Sequence, residues 1–258
     1  MTYCLGMMLR DGLVMMADTR TNAGIDNLAS YRKLRLLGRD GISMIAVASA
    51  GSLSTTQIAV ERSIEGMSIP PLYQLEKLSN VDRIHRAAYL LGQAIKKTEQ
   101  DWKQVTQGDV ALDASLLVGG NVGREKTRLF MIYGEGNFIE CCPDTPYLQI
   151  GERKFGQPIL DQALTYDTDL YEALKLGLLS FNMTIRSNAA VDLPIDVVVV
   201  RADETYPELS CRIQANDKYY CELDRRWAQA LKAAVATIPS TTYHEPTPAE
   251  ALAARRRA

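Results

Sequence analysis

Histidine is scarce in this sequence, with only two residues, His85 and His244, among 258. Neither lies at metal-ligand spacing from a cysteine or a carboxylate. Structural zinc sites take four cysteine or histidine ligands at short spacings, and the usual serine triad needs a histidine base. The sequence therefore argues against a zinc centre and against a histidine-based triad.

Long apolar runs, an excess of basic charge and regular cysteine spacing are also missing. No apolar run approaches the roughly 20 residues that a membrane-spanning helix needs, and charged residues interrupt the N-terminal segment where a signal peptide has its apolar core. The formal net charge of −2 comes without the basic face that nucleic-acid binding requires. The five cysteines are odd in number and irregular in spacing. We expect a cytoplasmic protein with reduced thiols and with no nucleic-acid or membrane partner.

Apolar patterning predicts a mixture of strands and helices. Short apolar runs predict strands over residues 3–9, 13–18, 33–37, 42–49, 114–119, 128–133, 138–141, 147–150, 195–201 and 209–213. Helical spacing predicts helices over residues 54–65, 81–102, 153–164, 170–184 and 221–238. Residues 67–72 contain two prolines and are expected to form a loop, and Asn80 is expected to be the N-cap of the next helix.

The order of these elements is strands, two helices, strands, two helices, strands. Such segregated runs favour antiparallel sheets with helices outside them, and hence the α+β class. Two sheets face to face with helices on both flanks, a four-layer αββα sandwich, fit that order. After Pro239 the composition shifts to threonine, proline, alanine and arginine, so residues 239–258 are expected to be a disordered tail.

Thr2 follows the initiator methionine, and a small second residue allows that methionine to be removed. Removal would place a hydroxyl and a free α-amine on one residue. An α-amine titrates near ~7.7–8.0 in model peptides, so it can act as the general base for its own hydroxyl. Many proteins begin with Met-Thr, so this feature is weak evidence when taken alone.

Asp18 and Lys33 are the charged residues expected near Thr2. Asp18 ends the second strand of a hairpin whose first strand begins after Thr2, and Lys33 opens the next strand. A lysine beside the amine would favour the neutral, basic form of that amine, and a carboxylate would orient the lysine. The spacing alone fits a surface salt bridge equally well.

Two sets of motifs in this chain follow one another in a recognisable order. The first set is Thr2 before a strand, Asp18-Thr19-Arg20-Thr21, Lys33 and Ser49-Ala50-Gly51. It resembles the N-terminal half of proteasome β-subunits. The longer motifs are Met1-Thr2-Tyr3-Cys4-x-Gly6, Ala17-Asp18-Thr19-Arg20-Thr21-Asn22-Ala23-Gly24 and Arg186-Ser187-Asn188-x-x-Val191-x-x-Pro194-Ile195-Asp196. They resemble more closely the bacterial proteasome homologues of the Anbu (ancestral β-subunit) group. The resemblance implies one domain over residues 1–238 with the αββα fold of N-terminal-nucleophile hydrolases.

The resemblance also implies roles for individual residues. Thr2 would be the nucleophile, Lys33 would tune its amine, and Asp18 would hold Lys33. Arg20 would support the site from beneath, and the Gly51 N–H would stabilise an oxyanion. Strand and helix geometry, rather than the resemblance, suggests Tyr31, Ser49 and Leu53 as walls of the substrate pocket, and Thr21 is a further candidate for substrate binding.

Three positions depart from the proteasome pattern. A serine that supports the amine normally follows the glycine of a central Ile-Gly turn, and Glu152 stands there in this chain. The carboxylate could replace the serine's hydrogen bond or point away from the amine. Near Arg186 the family has an aspartate and, three residues on, a serine, whereas this chain has Ser187 and Ala190. Ser187 is a candidate to reach the site, and the departures put catalytic efficiency in doubt more than reaction class.

The sequence therefore predicts a threonine-type hydrolase of peptide or amide bonds, acting through an acyl-enzyme on Thr2 within a homo-oligomeric ring, lock-washer or helix. No metal or organic cofactor is implied. One alternative is a non-catalytic structural subunit like the proteasome α-subunits, which carry an extension before the first strand that we do not expect here. Another is an amidase of the same superfamily that acts on a small peptide-like molecule.

Overall fold

The structure is a computed structural model that describes residues 2–22, 28–69, 74–105, 113–241 and 243. The strands are β1 (Tyr3–Leu9), β2 (Gly12–Asp18), β3 (Arg20–Asn22), β4 (Leu28–Ser30), β5 (Leu34–Leu36), β6 (Ser43–Gly51), β7 (Met67–Ile69), β8 (Gln74–Glu76), β9 (Ala114–Val122), β10 (Arg128–Ile132), β11 (Phe138–Glu140), β12 (Tyr147–Gly151), β13 (Ile195–Arg201) and β14 (Leu209–Ile213). The α-helices are α1 (Leu53–Glu65), α2 (Ile84–Val105), α3 (Gln157–Ala163), α4 (Leu170–Ser187) and α5 (Lys218–Thr237).

Two five-stranded antiparallel sheets carry most of these strands. The first sheet has the order β12–β1–β2–β13–β14, and the second has the order β11–β10–β9–β6–β5. In the first sheet β1 and β2 form the predicted hairpin, and the Val-rich β13 lies on the other side of β2. This register brings the beginning of β1 and the end of β2 together at one end of the sheet, where Cys4 pairs with Ala17.

The two sheets pack face to face through an apolar core. Alternate residues of β1, β2 and β13 contact residues of β6, β9 and β10 there, among them Cys4, Met8, Leu13, Met15, Ala46, Ala48, Leu117, Leu129, Val198 and Val200. Gly6 lies at a close approach of the two sheets, because a Cβ on it would come within 2.8 Å of the Leu129 side chain. A small residue in β1 thus allows the two sheets to close on each other.

Helices cover the outer face of each sheet. α1 and α2 bury a second apolar cluster against the outer face of β6, β9 and β10, with Ala87, Leu91, Ala94 and Ile95 on the face of α2 that points inward. α4 packs on β1 and β2, where the Tyr3 and Phe181 rings lie 4.4 Å apart between centroids. α3 packs against α4. The predicted α+β class and four-layer αββα sandwich are confirmed.

Three details differ from the sequence-based expectations. Residues 67–72, expected to be a loop, begin with the strand β7, which pairs with β8 in a small separate sheet. β3 and β4 form a second small sheet that the pattern did not predict. α2 begins at Ile84, so Asn80 is not its N-cap; the Ile84 N–H instead donates to the Glu125 carboxylate over 2.6 Å. A side chain distant in sequence satisfies the helix terminus, which local capping rules do not predict.

Contacts divide the chain into two compact units, residues 1–221 and residues 222–258. The first contains both sheets and α1 to α4. The second begins within α5, where Glu222 pairs with Arg225 and Arg226 on the same helix. Most of the expected tail after Pro239 lies outside the described residues. Within the described ranges no helix is long and apolar enough to cross a membrane, and no three metal-ligating side chains cluster.

Candidate active site

Thr2 lies at one end of the first sheet, just before the interior strand β1. Its neighbour Tyr3 donates its backbone N–H to Asp18 Oδ1 over 3.0 Å, which ties the beginning of β1 to the end of β2. On the opposite side, the Thr2 carbonyl oxygen accepts the backbone N–H of Glu152 over 2.7 Å. Thr2 is 9% exposed. Strands on both sides therefore fix its backbone.

Lys33 and Asp18 form a buried ion pair beside this position. Lys33 Nζ lies 2.8 Å from Asp18 Oδ1 and also donates to the Arg20 carbonyl oxygen over 2.6 Å. The other Asp18 oxygen accepts the Arg20 N–H. Burial raises the pKa of the Asp18 carboxyl, against the opposing effects of the Lys33 ammonium and the Tyr3 and Arg20 N–H groups. The carboxylate is held at three points and in turn holds the lysine.

A cavity of about 270 Å³ opens in front of Thr2. Its walls come from β3, β6 and the first turn of α1, together with Thr2 and Lys33. The lining residues are Thr2, Arg20, Thr21, Lys33, Ser49, Ala50, Gly51, Ser52, Leu53 and Thr56. The structure thus gathers Thr2, Lys33, Gly51 and three expected pocket residues, Thr21, Ser49 and Leu53, around one space.

Two glycines with positive φ shape the surroundings of Thr2. Gly51 has φ +99°, and a Cβ there would lie 2.1 Å from the Asp113 carbonyl oxygen. Gly151 has φ +82°, and a Cβ there would lie 2.0 Å from the Thr2 carbonyl oxygen. Only glycine fits both the conformation and the space at these positions. Gly51 ends β6 at the cavity wall, and Gly151 lets β12 approach the Thr2 backbone.

Arg20 is held at the cavity by Asp192, a partner that the sequence analysis missed. Arg20 Nη1 lies 2.6 Å from Asp192 Oδ2. Thr19, which lies between Asp18 and Arg20, is anchored as well, since both its N–H and its hydroxyl donate to the Pro194 carbonyl oxygen. Asp192 and Pro194 lie within the Arg186–Asp196 segment, but its spacing does not indicate which side chain Arg20 contacts.

Glu152 is buried next to Thr2 but does not line the cavity. Glu152 Oε2 accepts the side-chain amide of Asn188 over 2.8 Å, and Oε1 accepts the Lys154 N–H over 3.2 Å. Asn188 is the second residue that the sequence analysis missed. The bond joins the residue after α4 to the residue after β12. Asn188 lies in the Arg186–Asp196 motif, but nothing in the sequence indicates that its partner is Glu152.

The other expected site residues lie farther from the cavity. Tyr31 lines a separate space of about 10 Å³, and its N–H donates to the Thr19 carbonyl oxygen over 2.7 Å. Ser187 is exposed at the last position of α4 and is not among the residues that line the cavity at Thr2. Ala190 contributes its backbone N–H, which donates to Asn188 Oδ1 over 3.0 Å. The roles suggested for Tyr31 and Ser187 stay predictions.

Comparison with known proteins relates this arrangement to one family. The model of the proteasome subunit family matches residues 2–200, which includes every candidate site residue. No curated protein matches the sequence significantly.

Solved structures give strong matches over almost the whole chain. Anbu (ancestral β-subunit) from Yersinia bercovieri is 38% identical with a TM-score of 0.84, over 93% of this chain and 99% of that one. Anbu from Hyphomicrobium sp. strain MC1 is 38% identical with a TM-score of 0.82, over 93% and 99%. The helical assembly of the Anbu complex from Pseudomonas aeruginosa is 38% identical with a TM-score of 0.84, over 93% and 98%.

Proposed function

The chain belongs to the proteasome subunit family and is similar to its Anbu members, and from this we propose that it is a threonine-type N-terminal-nucleophile hydrolase. The bond cleaved is a peptide or amide bond, and Thr2 is the nucleophile after removal of Met1. One observation carries the proposal: Thr2 lies on the wall of a cavity that also exposes Lys33, and Asp18 holds that lysine at 2.8 Å.

The first half of the reaction forms an ester on Thr2. The α-amine of Thr2 takes the proton of the Thr2 hydroxyl as the oxygen attacks the substrate carbonyl carbon. The buried charge of Lys33 favours the neutral form of that amine, and Asp18 keeps Lys33 in place. The tetrahedral oxyanion takes a hydrogen bond from the Gly51 N–H, whose loss would cost about 10²–10³ in rate for a donor of this kind. The C–N bond then breaks, and the ammonium returns the proton to the leaving amine.

The second half of the reaction releases the acid. A water molecule attacks the ester carbonyl, and the Thr2 amine again accepts the proton. The ester C–O bond breaks, and the proton passes to Thr2 Oγ. Thr21, Ser49 and Leu53 supply the walls against which the substrate lies. No step requires a metal or an organic cofactor.

We further propose that the chain assembles into a homo-oligomer in the cytoplasm. The helical assembly of the Anbu complex from Pseudomonas aeruginosa supports a helical arrangement for this part of the proposal. Native mass spectrometry of the purified protein would measure the number of subunits, and a monomer at micromolar concentration would contradict this part of the proposal.

A non-catalytic subunit of such an assembly is the second candidate. One observation favours it: the Glu152 carboxylate takes its hydrogen bonds from Asn188 and Lys154, and Ala190 has no polar side chain to support an amine. An amidase for small peptide-like molecules would share the chemistry at Thr2 and differ only in its substrate.

The decisive experiment measures the intact mass of the protein before and after reaction with a β-lactone that acylates threonine. We expect a chain that lacks Met1 and gains a single lactone mass, with the ester located on Thr2 by peptide fragmentation. Thr2→Ala is the matched variant, because it removes the hydroxyl and keeps a small residue that still allows methionine removal.

Three outcomes separate the candidates. One adduct in the wild type and none in Thr2→Ala supports the hydrolase. A processed chain that takes no adduct supports the non-catalytic subunit. Retention of Met1 contradicts the proposed nucleophile directly. Release of acyl product from a panel of peptide amides and small amides would then distinguish a peptidase from an amidase.

A further inference from the structure

The Glu152 carboxylate is a buried charge held by uncharged donors. Glu152 is 8% exposed, and its carboxylate accepts the Asn188 side-chain amide and the Lys154 backbone N–H. Neither donor is a cation. Hydrogen bonds from neutral donors do not cancel the charge of a carboxylate, so its field acts on neighbouring groups.

The backbone brings that charge next to Thr2. Tyr3 pairs with Gly151 at the end of the β1–β12 ladder. One residue beyond this pair, the Glu152 N–H donates to the Thr2 carbonyl oxygen over 2.7 Å. The α-amine of Thr2 is separated from that carbonyl group by a single Cα atom. Glu152 contacts Thr2 through its backbone at the end of β12 and is not among the residues that line the cavity, whereas Lys33 lines the same cavity as Thr2.

Asn188 has only one orientation that satisfies its surroundings. Its Oδ1 accepts the Ala190 N–H over 3.0 Å, which leaves the Nδ2 group to face Glu152 at 2.8 Å. Its own backbone N–H donates to the Thr184 carbonyl oxygen over 2.8 Å and so closes the end of α4. The Asn188 side chain is therefore fixed by the Ala190 N–H, and the Asn188 backbone is fixed by the end of α4. The side-chain amide can in turn hold the Glu152 carboxylate.

We infer that Asn188 is a positioning residue that holds the Glu152 carboxylate in one place at the end of β12, and that the charge of Glu152 raises the pH at which the amine of the neighbouring Thr2 becomes a base. The inference rests on the proposed function, since it requires a free amine on Thr2. Among the charged residues that the structure describes, Lys33 and Arg20 line the cavity with Thr2, and Asp18 accepts the Tyr3 N–H. Glu152 bonds to the Thr2 carbonyl oxygen, and the side chains of the flanking Arg153 and Lys154 are exposed to solvent.

The charges of these groups set the direction of the effect. Asp18 is paired with Lys33, and Arg20 is paired with Asp192, so each of these charges is partly offset. Lys33 favours the neutral amine, whereas Glu152 favours the ammonium form. A proteasome-type serine in place of Glu152 would supply a hydrogen bond without the charge. The reaction of this protein is therefore shifted toward alkaline pH relative to a site with a neutral residue at position 152.

The test is the pKa of the Thr2 amine itself, measured by competitive acetylation at a series of pH values and mass spectrometry of the N-terminal peptide. This readout does not depend on hydrolytic activity. In Glu152→Gln the carboxamide keeps the shape but not the charge, and we expect the midpoint of acetylation to fall by about one pH unit. In Asn188→Ala the carboxylate loses its anchor, and we expect a smaller fall in the same direction. Asn137→Ala, an exposed asparagine in the β10–β11 turn, is the matched control and should leave the midpoint unchanged.

The outcomes distinguish this inference from the proposed function. An unchanged midpoint in Glu152→Gln overturns the electrostatic role of Glu152, even if Thr2 reacts with the β-lactone. A midpoint that falls in Glu152→Gln but not in Asn188→Ala overturns the positioning role of Asn188. Retention of Met1, read from the intact mass, overturns both proposals together. If Asn188→Ala does not fold, Asn188→Ser, which keeps a shorter donor, takes its place and should show a midpoint between those of the wild type and Glu152→Gln.

Discussion

The Lys33 ammonium lies 2.8 Å from the Asp18 carboxylate, with side-chain exposures of 5% and 0%. Two charges taken out of water are stable only as a well-bonded pair, because each alone would carry a large desolvation penalty. The backbone N–H groups of Tyr3 and Arg20 complete the shell of Asp18. The pair thus joins the end of β2 to the residue before β5, and it fixes the charge next to Thr2.

Asp18→Asn should destabilise the fold. The substitution removes the charge of Asp18 and leaves the Lys33 ammonium buried without a counter-charge, so we expect the free energy of unfolding to fall by about 3–5 kcal/mol. Urea denaturation followed by circular dichroism measures this. Asp82→Asn is the matched control, because Asp82 pairs with Arg83 at the surface and its loss should be too small to resolve. Equal effects in the two variants would contradict the burial of the Lys33–Asp18 pair.

Gly151→Ala should disturb the Thr2 backbone. The added Cβ would lie 2.0 Å from the Thr2 carbonyl oxygen, at a residue with φ +82°. Gly41→Ala is the matched control, since Gly41 has φ +69° with no atom within 4 Å of the added Cβ. Strain from positive φ alone costs about 1–2 kcal/mol, and we expect Gly41→Ala to lose that much and Gly151→Ala to lose more.

Hydrogen exchange of the Glu152 amide shows where the extra loss arises. In the wild type this N–H is bonded to the Thr2 carbonyl oxygen at 2.7 Å and should exchange slowly. Gly151→Ala should increase the rate, while Gly41→Ala should not. Slow exchange in both variants would indicate that β12 tolerates the methyl group and that the approach to Thr2 does not depend on glycine.

The sequence could predict the strands and helices because each of them carries its own pattern. The β1–β2 hairpin has two apolar runs around Arg10-Asp11-Gly12, and β13 is a continuous Val-rich run between two sheet neighbours. Successive side chains of a strand point to opposite faces of the sheet, so these runs predict a sheet that is covered on both faces. The segregated order of strands and helices predicts the layers. The strands β3, β4 and β7 escaped prediction because each has only three residues, too few to establish a period, and the strand that pairs with each is equally short.

The candidate site was predictable only in part, because its contacts join distant segments. The family motifs pointed to Thr2, Asp18 and Lys33, and the structure places all three together. Asp192 and Asn188 could not be assigned in the same way, since their partners lie 172 and 36 residues away. No local rule links such positions.

Tyr3→Phe should remove a buried polar network behind Thr2. The Tyr3 hydroxyl shares a hydrogen bond with Ser180 Oγ at 2.6 Å and accepts the Gln149 side-chain amide at 2.5 Å. Without the Tyr3 hydroxyl, the Ser180 hydroxyl and the Gln149 side-chain amide lose a partner, and we expect the free energy of unfolding to fall by about 1–3 kcal/mol. Tyr171→Phe, on the exposed side of α4, loses only a surface bond to Glu208 and serves as the control in the same denaturation series. A Tyr3→Phe protein as stable as Tyr171→Phe would contradict the network.

Cys141 and Cys142 are adjacent in sequence but should differ sharply in reactivity. Cys141 is 4% exposed, its thiol donates to the Thr145 carbonyl oxygen, and burial raises its pKa from 9.0 to about 12. Cys142 is exposed. Because the thiolate is the nucleophile, Cys142 should be alkylated by iodoacetamide at pH 8 while Cys141 stays unmodified.

The raised pKa of Cys141 also gives a direction for stability. A group whose pKa is higher in the folded state stabilises the fold fully below its unfolded value, and that contribution is lost as pH rises toward the folded value. For Cys141 the loss of stability therefore falls between pH 9 and about pH 12.

Peptide mass spectrometry tests the difference in reactivity. We expect one adduct on the Cys141–Cys142 peptide at pH 8 and two after denaturation. In the Cys142→Ser variant we expect no adduct on this peptide until the protein unfolds. Two adducts on the native protein at pH 8 would show that the segment after β11 does not pack against the core, because only an accessible Cys141 could react there.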